Sequence, residues 1–229
     1  MGHKVNPTSF RLPVLKNWQA KWFASRHFAD YLRQDIEISK ILDQRFGKLA
    51  GVAKIEILRE ENTIKIIIHT SKPGILIGRS GQGINELRKY LYRHCPLLRE
   101  PKTGLPAVKV EIEILEIKNP NLSAQLICQQ IALQIEKRMP YKRAVKQAID
   151  KVIEAKGRGV KICVAGRLGG AEIARRENYG AGSVPLGRLR AEIDFAKNDV
   201  FTTYGTIGIK VWIYKGDKVE VMESENANS

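Results

Sequence analysis

Two glycines enclose an arginine and a serine at Gly78-Arg79-Ser80-Gly81, directly before a run of residues with helical spacing. Glycine has no Cβ, so the backbone can approach a ligand closely at these positions. The free N–H groups at the start of the following helix favour an anion, and Arg79 can add a charged hydrogen bond. A turn of this kind can also be a plain helix cap. By itself the motif therefore predicts either a cap or a phosphate site.

No other residues show the spacing of a catalytic or metal-binding site. The chain has neither a Walker GxxxxGK[ST] motif nor a nucleophile elbow. No metal-ligand spacing relates its histidines and cysteines, which are His3, His27, His69 and His94 with Cys95, Cys128 and Cys163. The neighbours of the cysteines are apolar, which predicts buried, reduced thiols. We therefore expect no catalytic residue, no metal ion, no cofactor and no enzyme activity.

The charge balance indicates an anionic partner. Among 229 residues, 39 Lys+Arg face 24 Asp+Glu, which gives a net charge of +15. Charge of either sign keeps a protein soluble, but an excess of this size favours nucleic acid, with a membrane surface as the weaker alternative. No run approaches the roughly 18–20 apolar residues of a membrane-spanning helix. The first thirty residues lack the apolar segment of a signal peptide, so we expect a cytoplasmic protein.

The residue pattern predicts four segments along the chain. They are a basic, aromatic-rich N-terminal arm (1–34), a compact α+β domain (35–118), a second α+β domain (119–215) and a flexible tail (216–229). In the first domain the order is helix, strand, strand, glycine turn, helix, strand, and Gly47 is expected to end the first helix. In the second, helices at 123–138 and 141–155 precede strands at 160–165, 171–176, 189–195 and 207–214. Trp212 is predicted to lie in the sheet core.

The surroundings of the glycine turn favour the phosphate interpretation. Ile75, Ile77 and Ile84 bracket it as IGxxGxxI, between a predicted hairpin and a closing strand. This arrangement resembles a KH domain, whose GXXG loop clamps about four nucleotides of single-stranded RNA. The helix-first order resembles the type II form. A dinucleotide site is the weaker alternative, because the glycines stand in the wrong order for GxGxxG and no acidic residue ends a second parallel strand.

Longer motifs extend the resemblance over nearly the whole chain. They are MGHKVNPTSFRL at the start, YKRAVKQAI at 141–149, GRLGGAEIARRE at 166–177, VPLGRLRAEIDF at 184–195 and TTYGTIGIKVWIYKG at 202–216. Together they resemble the family of bacterial small-subunit ribosomal protein three. The resemblance implies an α+β fold, with an N-terminal type II KH domain and a C-terminal domain of two helices on a four-stranded, mainly antiparallel sheet. It also implies a structural protein of the small-subunit head that binds 16S rRNA and lines the entrance for mRNA.

The resemblance also implies which residues contact RNA. Gly78, Arg79, Ser80 and Gly81 correspond to the KH loop, and Lys142, Arg143 and Lys146 to the basic cluster that faces incoming mRNA and helps to unwind it. The implied rRNA contacts are His3, Lys4, Asn6, Arg11, Arg167, Arg175, Arg176, Arg188 and Arg190. The loop expected at 178–183 departs from the family pattern. The implied protein neighbours are head proteins ten and fourteen, and proteins four and five across the message channel.

Simpler interpretations of these charges stay open. Lys142, Arg143 and Lys146 could be an ordinary solvated helix face, although cations in a first helical turn oppose the helix dipole. Arg188 and Arg190 could pair with Glu192 or Asp194. A free-standing KH regulator of mRNA is the alternative function, and sedimentation with or without the small subunit separates the two. A lysine-dependent lyase on abasic DNA is the enzyme alternative, for which borohydride trapping is expected to yield no adduct.

Overall fold

The computed structural model describes residues 4–12, 14–24, 27–60, 63–78, 81–95 and 109–217. The helices are α1 (Pro7–Phe10), α2 (Phe28–Leu42), α3 (Pro73–Ile77), α4 (Gln82–His94), α5 (Ala124–Glu136) and α6 (Tyr141–Glu154). The strands are β1 (Ala20–Lys21), β2 (Val52–Arg59), β3 (Thr63–Thr70), β4 (Lys109–Glu116), β5 (Gly159–Gly166), β6 (Arg175–Gly182), β7 (Ala191–Thr202) and β8 (Gly205–Asp217). A π-helical stretch, Asp43–Gly51, continues α2.

The chain divides into two compact units. Residues 18–120 form one unit, and residues from 121 onward, with the N-terminal residues up to 17, form the other. The segment 1–34, predicted as one arm, is therefore divided between the units at residues 17 and 18. Most of the predicted tail, 218–229, lies outside the described residues, while residues 216 and 217 complete β8.

The first unit has the α+β order predicted for a KH domain. Its sheet has the order β1-β2-β3-β4, with β2 and β3 antiparallel and β4 parallel to β3. Burial alternates along β3, and Ile64, Ile66 and Ile68 are its core residues. This period of two places every second side chain on the face that packs against the helices. The helical core positions that meet it are Ile38, Leu42, Leu87 and Leu91.

Gly47 does not end the first helix, contrary to the prediction. The chain continues in π-helical geometry as far as Gly51, whose φ of +62° lies in the region that favours glycine. Ala50, near the end of this stretch, is fully buried in the same core as Ile38 and Leu42. Packing of these apolar residues therefore prolongs the helix beyond the glycine that local propensity favours as its end.

A buried ion pair fixes residues 18–24 to the first unit. The Arg59 guanidinium pairs with the Asp35 carboxylate, and the Trp22 indole Nε1–H donates to Asp35 Oδ2 at 2.7 Å. The backbone carbonyl of Gln19 accepts from the N–H of Ile57 at 2.9 Å, which places β1 parallel to β2. Aromatic residues of the predicted arm thus pack on their own domain.

The second unit is a helix pair on an antiparallel sheet, as predicted. The sheet has the order β6-β5-β8-β7, and every neighbouring pair is antiparallel. α5 and α6 cover one face through a core that includes Ile131, Val145, Ile162, Ile209 and Val211. The α+β fold class, with a KH domain followed by two helices on four strands, is therefore confirmed.

The strand predicted at 171–176 is observed as β6, at Arg175–Gly182, so most of the predicted loop 178–183 is a strand. Gly180 and Gly182, which suggested a loop, lie where the backbone of β6 closely approaches the backbone of residues 158–160. A Cβ on Gly180 would lie 2.9 Å from the Val160 carbonyl oxygen, and one on Gly182 would lie 2.4 Å from the Arg158 carbonyl oxygen. Glycine in a strand can mark such a close approach rather than a break.

Arg11 holds the N-terminal segment against the second unit. Its side chain is fully buried, and the guanidinium donates to the carbonyl oxygens of Pro7, Leu186, Arg188 and Ala191 at 2.8–3.0 Å. Burial lowers the pKa of Arg11 from its ordinary value. These bonds join the N-terminal segment and the 183–190 loop to the start of β7. The expectation that Arg11 contacts rRNA is therefore wrong, since all of its side chain lies inside the protein.

Asp194 on β7 links three parts of the second unit. Its Oδ2 accepts from the N–H of Ala124 at the start of α5, and its Oδ1 lies 3.2 Å from Lys16 Nζ. Lys215 Nζ is 4.0 Å from Oδ2. Burial raises the pKa of Asp194, but the charges of Lys16 and Lys215 and the Ala124 N–H outweigh burial, so the pKa lies below its usual value. The carboxylate thus caps a helix and pairs with lysines from two segments.

Replacing Arg11 with methionine should destabilise the second unit strongly. Hydrogen bonds to a charged group contribute about 1.5–3 kcal/mol each, and four carbonyls would lose their donor, so we expect a loss of at least about 3 kcal/mol. Urea unfolding measures this loss. Arg190→Met is the matched control, because Arg190 is exposed, and it should change the free energy of unfolding by less than about 0.5 kcal/mol. Equal stability of the two variants would contradict the structural role of Arg11.

The contribution of Asp194 should depend on pH. Because its folded pKa is depressed, its stabilisation is present above the unfolded pKa of about 3.9 and is lost as the pH falls through the folded pKa. The measurement is the difference in unfolding free energy between the unchanged chain and Asp194→Asn. We expect this difference to shrink between about pH 5 and pH 2. A difference that stays constant over this range would show that the carboxylate charge contributes nothing.

Candidate nucleic-acid interface

The glycine turn joins the end of α3 to the start of α4. Gly78 has φ +67° and Gly81 has φ +74°, so both occupy the left-handed region that favours glycine. Arg79 and Ser80 lie outside the described residues. Among the described residues no side chain caps α4 at Gly81, and the N–H groups of a first helical turn favour an anion. The two predicted glycines thus have the backbone geometry that the motif requires.

A third glycine, Gly83, holds the two helices of the turn together. A Cβ at Gly83 would lie 2.4 Å from the Leu76 carbonyl oxygen and 2.8 Å from that of Ile77. A Cβ at Gly78 would lie 3.0 Å from the Gly83 nitrogen. The end of α3 therefore rests directly on the first turn of α4. The sequence shows Gly83 as the third glycine of a GxxGxG spacing, but this spacing alone does not reveal that α3 approaches α4 so closely.

Apolar side chains lie exposed beside the turn. On α3, Ile75 is 47% exposed and Ile77 is 37% exposed, while Leu76 between them is buried in the core. An anion-binding backbone next to exposed apolar groups can hold phosphates at the turn and contact bases beside it. This combination suits single-stranded nucleic acid, whose bases are free of pairing partners.

The cations predicted to face mRNA lie together on α6. Lys142, Arg143 and Lys146 are exposed in the first two turns of the helix, while Val145 and Ala148 are buried beneath them. None of the three forms an ion pair with a carboxylate among the described residues. Lys142 and Lys146 stand at i and i+4, where like charges repel. The result is a basic surface at the N-terminal end of a helix, with Glu177 as a nearby carboxylate that feels the charge of Lys142.

A hydrogen-bonded network borders this surface. Arg175 Nε lies 3.0 Å from Glu177 Oε1, and Arg175 Nη2 donates to the Tyr141 hydroxyl at 3.1 Å. The hydroxyls of Tyr141 and Tyr179 donate to the Glu177 carboxylate. The bond from Tyr179 is the largest cause of a lowered Glu177 pKa, to which the charges of Arg175 and Lys142 add. Burial and Glu177 raise the pKa of Tyr179 to about 12. The charge of Arg175 is thus partly neutralised within the protein.

Two other residues predicted to contact rRNA make internal bonds. Asn6 Oδ1 accepts from the Thr8 N–H at 2.9 Å and caps α1. Arg167 donates to the carbonyl oxygens of Ala171 and Tyr204 at 2.9 and 3.1 Å, which ties two turns together. Asn6 is exposed and Arg167 is half-buried. Both therefore have a structural role whether or not RNA is bound.

The remaining predicted rRNA contacts lie on the surface of the second unit. Arg188 and Arg190 precede β7 instead of lying on a strand, and Arg188 Nη1 pairs with Asp217 Oδ2 at 3.0 Å. Arg176 and Lys4 are exposed. The proposed pair of Arg188 with Asp194 is not formed, because Asp194 binds lysines. His3 lies outside the described residues.

The three cysteines and Trp212 lie in the apolar cores of the two units. Cys95, Cys128 and Cys163 are buried free thiols, as predicted. Burial raises the pKa of Cys95 to about 11 and that of Cys128 to about 12. Trp212 is buried in the sheet core, which confirms that prediction. None of the helices in the described part of the chain is both long and apolar enough to cross a membrane.

Both units match known protein families. Residues 37–122 match the KH domain model, and residues 131–213 match the model of the ribosomal protein S3 C-terminal domain. The chain is 44% identical over 230 residues to small ribosomal subunit protein uS3 of Carboxydothermus hydrogenoformans, which covers 100% of this chain and 98% of that protein. It is 46% identical over 218 residues to uS3 of Caldicellulosiruptor saccharolyticus, which covers 95% of this chain and 93% of that protein.

The chain belongs to the ribosomal protein S3 family. The resemblance found in the sequence is thus confirmed. The family consists of structural RNA-binding proteins, so the chain is a constituent of the small ribosomal subunit and not an enzyme. The small subunit is cytoplasmic, as predicted. Membership over the full length, including the second unit, also decides against a free-standing KH regulator.

Replacing Gly83 with alanine should distort the glycine turn. The new methyl group would meet the Leu76 carbonyl oxygen at 2.4 Å, so α3 and α4 must separate. Overpacking of this kind costs about 1–3 kcal/mol. Urea unfolding of the first unit and binding of a short unpaired RNA are the measurements, and both should weaken. Asn85→Ala is the control, because Asn85 is exposed on the same helix. Loss of stability with unchanged RNA affinity would mean that the turn serves only to cap α4.

Proposed function

We propose that the chain binds 16S rRNA in the head of the small subunit and grips mRNA at its entrance. Lys142, Arg143 and Lys146 carry the message contact. The observation that supports it is the exposure of three cations at one helix end with no carboxylate partner among the described residues. In a family of ribosomal RNA-binding proteins, the anion available to such a cluster is RNA phosphate.

The position of these cations is unfavourable in the isolated chain. A positive charge in the first turn of a helix opposes the helix dipole at a cost of about 0.3–1 kcal/mol. The i, i+4 pair of lysines adds repulsion of about 0.2–0.5 kcal/mol. Phosphates would remove both penalties, because they lie close to positive side chains and to the positive end of the dipole. An anionic ligand therefore explains a placement that solvation alone does not favour.

Unwinding at such a cluster would be passive. A paired message opens transiently, and a surface that binds the single strand shifts that equilibrium toward the open form. No nucleotide hydrolysis is needed, and the chain has no Walker motif. The rigid α6 contributes by holding the three charges at fixed positions, so that each open strand meets the same set of donors.

The glycine turn and the surface arginines would hold rRNA. We assign Gly78, Arg79, Ser80 and Gly81 to the RNA backbone, because the two glycines have left-handed φ values and no side chain among the described residues caps α4 at Gly81. In the second unit the exposed candidates are Lys4, Asn6, Arg175, Arg176, Arg188 and Arg190. Head proteins ten and fourteen, and proteins four and five across the message channel, are the proposed protein neighbours. His3 stays a predicted contact.

The α6 cluster can be tested with Lys142→Ala, Arg143→Ala and Lys146→Ala combined. If each residue neutralises one phosphate of a single strand, the slope of log affinity against log salt should flatten by about 2. The fold should survive, because the buried residues Val145 and Ile149 are unchanged and alanine favours helix. Small subunits reconstituted with the variant should unwind a hairpin at the message entrance more slowly. Translation of unstructured messages should change little.

A charge-matched control separates message binding from assembly. Lys137→Ala, Lys151→Ala and Lys156→Ala remove the same charge from other positions of the helix pair and its connections. This control should leave hairpin unwinding unchanged. Equal slowing on structured and unstructured messages by the α6 variant would show that its residues hold rRNA or the fold instead of the message.

A further inference from the structure

The second sheet has an open face, opposite the one that α5 and α6 cover. Part of this face is apolar and already covered, because Ala191, Ile193, Trp212 and Tyr214 are buried with residues of the 183–190 loop. The rest of the face carries cations from several segments. We name as the basic face the residues Lys4, Lys161, Arg176, Lys197 and Lys210. Of these, only Lys4 and Arg176 were predicted to contact RNA.

Strand register places the cations side by side. Lys197 on β7 is the direct partner of Lys210 on β8, and Lys210 is the direct partner of Cys163 on β5. Arg176 on β6 extends over the same strand, with its Nε 3.0 Å from Cys163 Sγ. The cations thus come from neighbouring strands of one sheet. Neighbouring strands lie about 4.8 Å apart, so the charges form a short row.

The other end of the row meets the N-terminal segment. Lys161 on β5 is the partner of Trp212, and Lys4 Nζ lies 5.8 Å from the centre of the Trp212 ring. A hydrogen bond with Lys161, together with burial and the Lys161 charge, lowers the pKa of Lys4. The charge of Arg176 acts in the same direction. Lys4 therefore lies close enough to Lys161 and Arg176 for their charges to disfavour its charged form.

Folding alone does not favour this arrangement. Like charges directly opposite on neighbouring strands destabilise a sheet. Lys197 pairs with Asp199, whose Oδ2 is 3.8 Å from Lys197 Nζ, and both side chains are about half-exposed. One such pair contributes little, since exposed ion pairs are screened by water. An external anion would offset the repulsion.

We propose that the basic face is a docking surface for the phosphate backbone of ribosomal RNA, separate from the α6 cluster. The proposal rests on rRNA binding by the chain and names where part of it occurs. Its contacts would be made by Lys197, Lys210 and Arg176 at the exposed end and by Lys161 and Lys4 near Trp212. Phosphate contacts of this kind position a protein on RNA without reading its sequence.

RNA fits this surface better than an acidic protein does. Protein interfaces are depleted in lysine and centre on buried aromatic or apolar anchors. Here the aromatic residues Trp212 and Tyr214 are already buried by the chain itself. What remains for a partner is a row of long, flexible cations, and this suits a backbone with regularly repeated charges.

The experiment uses Lys197→Gln combined with Lys210→Gln in the full-length chain. Binding to a 16S rRNA transcript is measured over a range of salt concentrations. Loss of two phosphate contacts should flatten the slope of log affinity against log salt by about 1.4–1.8. The urea midpoint of the free variant should stay the same or rise, because the opposed charges are gone. Lys197→Arg with Lys210→Arg keeps both charges and should restore most of the slope.

Two controls decide the outcome. Lys137→Gln with Lys156→Gln removes the same charge elsewhere in the unit, and it should change the slope much less. An equal effect of both pairs would overturn the proposal in favour of general charge attraction. An unchanged slope in the Lys197/Lys210 variant with an intact fold would also overturn it. Normal rRNA affinity combined with poor incorporation into small subunits would indicate an acidic protein partner instead of RNA.

The same variants separate this proposal from message binding. The Lys197/Lys210 variant should unwind an entrance hairpin at the normal rate once it is assembled into subunits. The variant of Lys142, Arg143 and Lys146 should keep the part of the salt slope that the basic face contributes. Suppose that the variant of Lys142, Arg143 and Lys146 slows structured and unstructured messages equally, while the Lys197/Lys210 variant shows a flatter slope of log rRNA affinity against log salt. The proposal for mRNA binding is then wrong, and the proposal for the basic face is supported.

Discussion

The buried guanidinium of Arg11 is the interaction on which the second unit depends. A fully buried charge is costly unless its donors find acceptors, and the carbonyls of Pro7, Leu186, Arg188 and Ala191 accept four hydrogen bonds from the guanidinium. These acceptors belong to segments far apart in the chain, so one side chain holds the N-terminal segment and the 183–190 loop to the start of β7. The apolar part of the open sheet face is covered in consequence, while its basic part stays exposed.

Some cations of the protein are paired with its own acidic or polar groups, and others are exposed and can bind a ligand. Arg59 is paired inside the first unit, and Arg175 is tied to Glu177 and Tyr141. By contrast, the α6 cluster and the basic face lack carboxylates sufficient to neutralise them among the described residues. Their repulsion is tolerated because the apolar cores beneath them are extensive. A protein that carries such surfaces is adapted to an anionic environment, which agrees with membership of a ribosomal protein family.

The glycines show which structural roles can be predicted from neighbouring residues in the sequence and which cannot. Gly78 and Gly81 were assigned to a turn, because the motif and its flanking isoleucines are local signals, and both glycines have left-handed φ values there. Gly180 and Gly182 were assigned to a loop, but they lie in β6 where another backbone passes close by. A glycine that makes room for a distant segment and one that makes a turn look alike in sequence. Only the register between strands separates the two.

The sequence by itself determined the KH order, the helix pair, the antiparallel sheet and the family, because hydrophobic periodicity and contiguous motifs are local properties. It also indicated the α6 cluster, since Lys142, Arg143 and Lys146 are neighbours on one helix. Tertiary structure alone decided that Arg11 is internal and that Lys197 lies beside Lys210. Burial and cross-strand register depend on residues far away in the chain, so no single segment contains them.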